Sequence, residues 1–318
     1  MKNSRAWLLL TLALAFPASA QIDPDARARD VAWAQPRVRA RYAELQAEAR
    51  RIKDPLRRAE LQSFLVRPEF LVLSRRRKDQ ARIVAELKAE DLLADSVRTI
   101  FPPAPAMAFV AAPGGVWGGH HSYPGGLVDH TLFNLRAGLA LAAVYRRDYG
   151  LKIDDDSIRI AALMHDMAKT VTLRWREDGS LPPDETQVAG TGLHHILDVS
   201  EALERRWPAR LVVCVASAHS PPHPGPELDA LLRYLRAAVV ISGSTNAAAG
   251  LSADGKSLAA TAPLEAFITH LDDHDWVLTE TSMRAADASM LARGIVGDWK
   301  RDEFLAAHGD LPLYGREP

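Results

Sequence analysis

Cysteine is almost absent: the 318-residue chain holds one, Cys214. A single thiol excludes an intramolecular disulfide and a closed structural zinc site built on cysteines. Its setting, "LVVCVASAH", is apolar and suits a small core residue, whereas a reactive thiolate needs an electropositive, partly open surrounding. An excess of either charge is missing too. The 39 Lys and Arg face 40 Asp and Glu, a net charge of −1, so no strong field favours nucleic acid or an anionic membrane. A long polyanion normally recruits a Lys or Arg for each phosphate contacted, so no stable nucleic-acid complex is expected. The basic run Arg75–Lys78 is offset by Asp79 and Glu86 and reads as a solvated helix end. No internal repeat is visible, and no alternation of strand with helix suggests a parallel sheet.

Long hydrophobic runs are also scarce. The N-terminal one, Ala6 to Phe16, has 11 residues, too few for the roughly 20 of a spanning helix. It follows Lys2 and Arg5 and ends in Ala18-Ser19-Ala20, the anatomy of a signal peptide cut after Ala20. The expected localisation is periplasmic or secreted, with no membrane span after cleavage.

What is present is helical periodicity. Residues 21–100 form an N-terminal region in which "RYAELQAEARRI" and "DQARIVAELKAEDLLADSV" place apolar residues at three- and four-residue spacing. "FPPAPAMAFVAAPGGVWGG", from Phe101, is a Pro/Gly-rich connector that is neither regular helix nor central strand. Beyond it, "LVDHTLFNLRAGLALAAVYRRDY" repeats apolar positions at Val128, Leu132, Leu135, Leu139 and Ala143. "DDSIRIAALMHDMAKT" opens on acidic residues favourable at a helix N-terminus. Further helices follow to the end of the chain. The fold class is all-α, organised as a helical domain over 101–250 and a C-terminal helical extension over 251–318.

The 11 histidines are unevenly spread. His165 shares a helix face with Ile158, Ala161 and Ala162 and points at the core, and Asp166, turned about 100° away, borders the same interior. Burying an ionised carboxylate costs several kcal/mol unless a cation or hydrogen bonds compensate (about that size). His219 lies in line with Val212 and Val215, His130 follows the Gly125-Gly126 turn, and His195 opens another helix beside His194. Four helices thus deliver imidazoles from partly apolar faces. Nitrogen and carboxylate donors together suit one or two Mn, Fe, Zn or Ni ions.

The ordered set of His130, "HDMAK", His195 and His219 resembles the HD-domain metal-dependent phosphohydrolases. "HDMAK" reads like their H-D-x-G-K. "HHSYPGGLVDHT" is similar to the leading segment of the HD domain in bacterial 3′→5′ exoribonucleases and in a relaxase-associated HD group, and "GLHHILDVSEAL" is similar to their glycine-histidine-isoleucine helix. The resemblance runs from about His120 to Ala247. It implies an HD-type helical bundle with added N- and C-terminal helices, and metal ligation by His130, His165 and Asp166, with Asp166 bridging if two metals bind. His195 and His219 match the extra histidines of two-metal variants, and His194 is an alternative to His195. Lys169 would meet a substrate phosphate, and His120, His121 and Tyr123, in the loop leading to His130, would bind phosphate or, for His121, pass a proton to the leaving group.

Two positions depart from the pattern. Ala168 stands for the motif's glycine, and Val239 occupies the place of its final aspartate. Nearby Ser242 offers only a neutral hydroxyl, while Asp272, Asp273 and Asp275 offer carboxylates from a later helix. The expected activity is hydrolysis of a small phosphate ester by metal-activated water, with Asp166, Lys169 and His121 as catalytic groups. The alternatives are a metal- or ligand-binding module without turnover, favoured by the missing aspartate, and a di-iron oxygenase. N-terminal sequencing of the protein recovered from its own compartment should begin at Gln21; an intact Met1 would exclude cleavage.

Overall fold

The computed structural model describes residues 23–278 apart from Ala104 and Gly118, with side chains up to His274. The signal-peptide expectation, Asp275, Trp276, Trp299 and most of the C-terminal extension lie outside the described residues or side chains. The architecture is all-α. In chain order the helices are α1 (Pro24–Ala34), α2 (Pro36–Arg51), α3 (Pro55–Val66), α4 (Leu71–Arg76), α5 (Gln80–Ala89), α6 (Gly126–Tyr149), α7 (Asp155–Met164), α8 (Lys169–Thr172), α9 (Leu193–Glu204), α10 (Ala209–Ser217), α11 (Pro226–Ser242) and α12 (Leu264–Leu278). Two short antiparallel strands, β1 (Gln187–Val188) and β2 (Thr191–Gly192), make a small hairpin before α9.

Local chemistry sets the helix starts. Proline stands in the first turn of α1, α2, α3 and α11, where its missing N–H costs nothing. The side chains of Asp23, Asp54 and Asp154 accept the first free N–H groups of α1, α3 and α7. A carboxylate from elsewhere does the same for α4, whose Leu71 and Val72 N–H groups donate to Glu201 of α9 at 3.0 and 2.8 Å.

The helices pack as a layered bundle. Helix α6 lies against α2, α7 and α12, while α10 bridges α7, α9 and α12 and α11 covers α9. One apolar cluster runs through the N-terminal helices and those that carry the histidines, from Ala28 and Leu45 to Leu132, Ile196 and Ala266. The Pro/Gly-rich connector is irregular, with a 3₁₀ turn at Phe109–Ala111, but it is no surface linker: Met107, Phe109, Val110 and Ala111 are buried. By length and hydropathy α6 could cross a membrane, yet over half of its apolar window is buried inside the fold. Cys214 is fully buried and burial pushes its thiol up, the setting of a core residue. Arg75 and Arg76 pair with Glu204, and Arg77 donates to the Pro102 carbonyl.

One expectation changes in detail. "DDSIRIAALMHDMAKT" reads as a single helix, but α7 stops at Met164 and a turn precedes the short α8. Asp198, from α9, accepts the Ala168 N–H at 2.9 Å, satisfying the backbone where the helix breaks. His165 and Asp166 therefore sit at a helix end, free to point into a common space.

Gly138, in the middle of α6, admits α12. A Cβ there would press on the Asp272 carboxylate and lie 2.9 Å from Ile158 Cγ2. Replacing Gly138 by Ala should drive α12 from α6 at a cost of about 1–3 kcal/mol, the usual range for overpacking. Thermal denaturation should show a melting temperature several degrees lower; an unchanged value would mean that α12 docks with room to spare.

Candidate metal centre

Six elements converge on one buried space. Helix α6 supplies His130, the end of α7 supplies His165 and the turn after it Asp166. The first turn of α9 supplies His194 and His195, the turn after α10 supplies His219, and α12 supplies Asp273. Two overlapping groups of ligand atoms result: His130, His165, Asp166 and Asp273, and Asp166, His194, His195 and His219.

Asp166 divides its oxygens between them. Oδ2 lies 2.8 Å from His130 Nε2 and 3.5 Å from His165 Nε2. Oδ1 lies 3.1 Å from His194 Nε2 and 3.7 Å from His219 Nε2. Asp273 Oδ1 completes the first group at 3.1 Å from His130 Nε2 and 3.2 Å from His165 Nε2, while its Oδ2 is 3.2 Å from His219 Nδ1. Donor atoms that share a cation at ~2.1 Å stand roughly 3.0–3.4 Å apart, so these spacings suit a cation in either group.

The rings are held from behind. His165 Nδ1 donates to the Ala162 carbonyl at 3.0 Å, leaving the Nε2 lone pair aimed at the cluster. His194 Nδ1 is paired with Glu185, which also accepts the His194 N–H at 2.7 Å. His195 Nδ1 meets the Thr191 hydroxyl, and its ring stacks on His219. Asp166 Oδ1, His194 Nε2 and His219 Nε2 are buried and make no well-aligned hydrogen bond among the described residues, although Oδ1 and His194 Nε2 lie within 3.1 Å of each other. Such orphaned acceptors in a water-poor site cost free energy unless a cation satisfies them.

Electrostatics point the same way. Burial alone would push Asp166 up, but Lys169 and His165 beside it hold its carboxyl well below the usual range. Burial also opposes ionisation of Asp273, but His165 and His130 close beside it hold its carboxyl well below that range. Burial pushes His219 down to about 4 and His195 well below the ordinary imidazole value, so both rings are neutral at pH 7. For His194 burial is outweighed by Glu185, and its value is raised.

Of the residues singled out in the sequence, the structure brings His130, His165, Asp166, His194, His195 and His219 together. Both neighbouring histidines of α9 reach the cluster, which the sequence could not decide. Lys169 is buried, its ammonium 2.5 Å from Asp166 Oδ2 and 2.5 Å from the Gly114 carbonyl, so it neutralises the carboxylate and does not reach into open space. His120, His121 and His130 form a third histidine group, in which His121 and His130 are buried and His120 is half-buried. Two expectations need correction. Tyr123 is not a surface group at the mouth: it is fully buried and its hydroxyl donates to Asp129 at 2.8 Å. Ser242 donates to its own helix's Ala238 carbonyl at 2.7 Å; the adjacent Gly243 lies by Arg76, which pairs with Glu204 at the opposite end of α9 from His194. The carboxylate absent from the Val239 region has a counterpart in Asp273 of α12, one of the three offered by the later helix, which stands in the cluster. Glu185 and Asn134 went unnoticed in the sequence, since neither carries a local signal.

No protein-family model matches the chain, and no solved structure matches it. Over 100 residues it is 34% identical to the dihydroneopterin 2′,3′-cyclic phosphate phosphodiesterase of Methanocaldococcus jannaschii. That stretch is 31% of this chain and 39% of the relative, so the chain spans well under half the length of the relative it matches.

Replacing Glu185 by Ala frees the His194 ring and should weaken cation binding about 10–100-fold, the usual effect of losing such a support. Affinity should also fall with acidification, because a proton and the cation compete for Nε2 of the raised His194. Titration with Mn²⁺ at several pH values reads both effects; an affinity flat from pH 7 to 5 would contradict this geometry.

Proposed function

We propose that this chain is an exported, metal-dependent phosphoesterase of the HD kind that acts on a small phosphate ester. The observation that carries the reading is the division of the two Asp166 oxygens between two groups of histidines. Similarity to a protein named as a cyclic-phosphate phosphodiesterase supports ester hydrolysis, and makes a diester or cyclic phosphate the substrate class to try first.

The donor set fits divalent transition ions such as Mn, Fe, Zn or Ni: neutral imidazoles and two carboxylates, with no cysteine. His130, His165, Asp166 and Asp273 would hold one, and Asp166, His194, His195 and His219 a second. Such ions supply Lewis acidity, lowering the pKa of water and drawing charge from a phosphoryl oxygen. The chain's own residues do the rest. Glu185 and the Ala162 carbonyl keep His194 and His165 in the tautomer that presents Nε2. Lys169 holds Asp166 in place and offsets its charge. His120 lies at the partly exposed rim, where a phosphate would arrive.

His121 would protonate the leaving group. Burial, with His120 and His130 next to it, holds its imidazole well below the ordinary value. An arriving phosphate anion would raise its affinity for a proton, which it would take from solvent water and pass to the leaving oxygen as the bond from that oxygen to phosphorus breaks. Its backbone has φ 54°, a left-handed conformation that Asn also tolerates. Because Asp273 supplies a carboxylate within the cluster, the feature that favoured a non-catalytic binding module loses its force.

Two measurements test the proposal. Metal-reconstituted protein should hydrolyse bis(p-nitrophenyl) phosphate or a 2′,3′-cyclic nucleotide, and Asp166→Asn should reduce the rate at least ~1,000-fold through loss of transition-state stabilisation. Bound metal without turnover of any mono-, di- or cyclic ester would favour the binding module. His121→Asn should slow esters with poor leaving groups by about 100-fold and leave nitrophenyl esters nearly untouched, since only the former need a proton.

A further inference from the structure

Asn134 belongs to the same buried space, one turn along α6 from His130 and on the same face. It is fully buried. Its Nδ2 stands 2.9 Å from Asp273 Oδ1, 3.1 Å from His130 Nε2 and 3.3 Å from His165 Nε2. The terminal atom of this side chain is thus as close to three donors of the first group as those donors are to one another. An amide NH₂ has two hydrogens for these three acceptors, and His165 Nε2 and Asp273 Oδ1 are already turned to each other. Meanwhile Asn134 Oδ1 is buried with no hydrogen-bond partner among the described residues. A buried carbonyl oxygen left in that state is costly.

A carboxamide places its oxygen and its nitrogen in sites of the same shape, and rotation about the last side-chain bond exchanges them. An NH₂ group carries positive charge toward whatever it faces, so a cation within the first group would repel it. The oxygen in its place is a neutral ligand of the kind that hard and borderline cations accept. We propose that Asn134 is a ligand of the first cation position, binding through Oδ1 with the carboxamide turned over from the orientation described above. One helix then supplies two ligands four residues apart, and the first position gains a donor without gaining charge. The inference rests on the reading of this site as a cation site.

The test compares Asn134→Ala, Asn134→Leu and Asn134→Asp with the parent protein. Each is stripped with chelator and titrated with Co²⁺ and Mn²⁺, following stoichiometry, affinity and the visible absorption of Co²⁺. The expected result is a loss of about 10–100-fold in affinity at one position for Ala and Leu, with a changed Co²⁺ spectrum. Asp, which keeps an oxygen at the same place, should retain the cation at that position. Thermal denaturation of the stripped proteins separates a folding defect from a ligand defect, because the Asp variant must bind even if all three melt lower. Parent-like affinity and spectrum in the Ala variant would overturn the proposal. So would an Asp variant that loses the cation as Ala does, since that result would make the NH₂ contact with Asp273 the essential one. If the parent protein itself takes up no cation, the functional reading fails before this inference is reached.

Discussion

The rest of the structure is organised around a single buried carboxylate. Asp166 is almost fully enclosed, at a place where an ionised group is costly unless compensated. Lys169 provides part of that compensation from one side, and the histidines of α6, α7, α9 and the α10 turn surround the remaining lone pairs. Each neighbouring feature serves to present that carboxylate: the early end of α7, the Asp198 carboxylate that receives the Ala168 N–H, and the Glu185 support behind His194. Remove the carboxylate and the imidazoles lose the group shared by both clusters, leaving the Asp273 contact with His219 between them.

The N-terminal helices take part in this arrangement through charge as well as through apolar packing. Arg41 of α2 donates to Asp129 at 2.6 Å, and the other Asp129 oxygen accepts the Tyr123 hydroxyl. Asp129 is the residue before His130. The contact therefore fixes the first turn of α6, and with it the loop that carries His120 and His121. At Gly126 a Cβ would collide with the His121 carbonyl, so that loop rests directly on the helix backbone. Tyr123, first read as a group for the substrate, is a strut between α2 and the histidine loop.

How much of this was legible in the sequence follows from what is local. The helices were readable because their periodicity and their Asp and Pro starts are local properties. His130, His165, Asp166 and His219 were readable because each ends or begins an apolar stretch and the order resembles a known pattern. The choice between His194 and His195 was not, since a turn and a hairpin set the phase of α9 and both rings reach the cluster. Asp273 was only one of three carboxylates in "THLDDHDW". Which of two consecutive aspartates faces the site depends on how α12 meets Gly138, and Asp272 instead turns to that glycine and Ile158. Burial pushes Asp272 well above the ordinary carboxyl range. The break after Met164 was equally hidden, because its stabilising group, Asp198, comes from a different helix.

Charge within the site bears on what it would accept. Asp166, Asp273 and Glu185 are anionic and Lys169 is cationic, so these residues alone leave an excess of about two negative charges, before any proton on His194. Under the proposed reading, two divalent ions turn that excess into about two positive charges in a space largely closed to water. Low effective dielectric makes such an excess costly until anions enter. A phosphate ester and an anionic nucleophile together carry a comparable negative charge, so the site would be closest to neutral when both are present. A neutral ligand at Asn134 preserves that balance, where a third carboxylate would offset part of the positive charge that attracts the substrate.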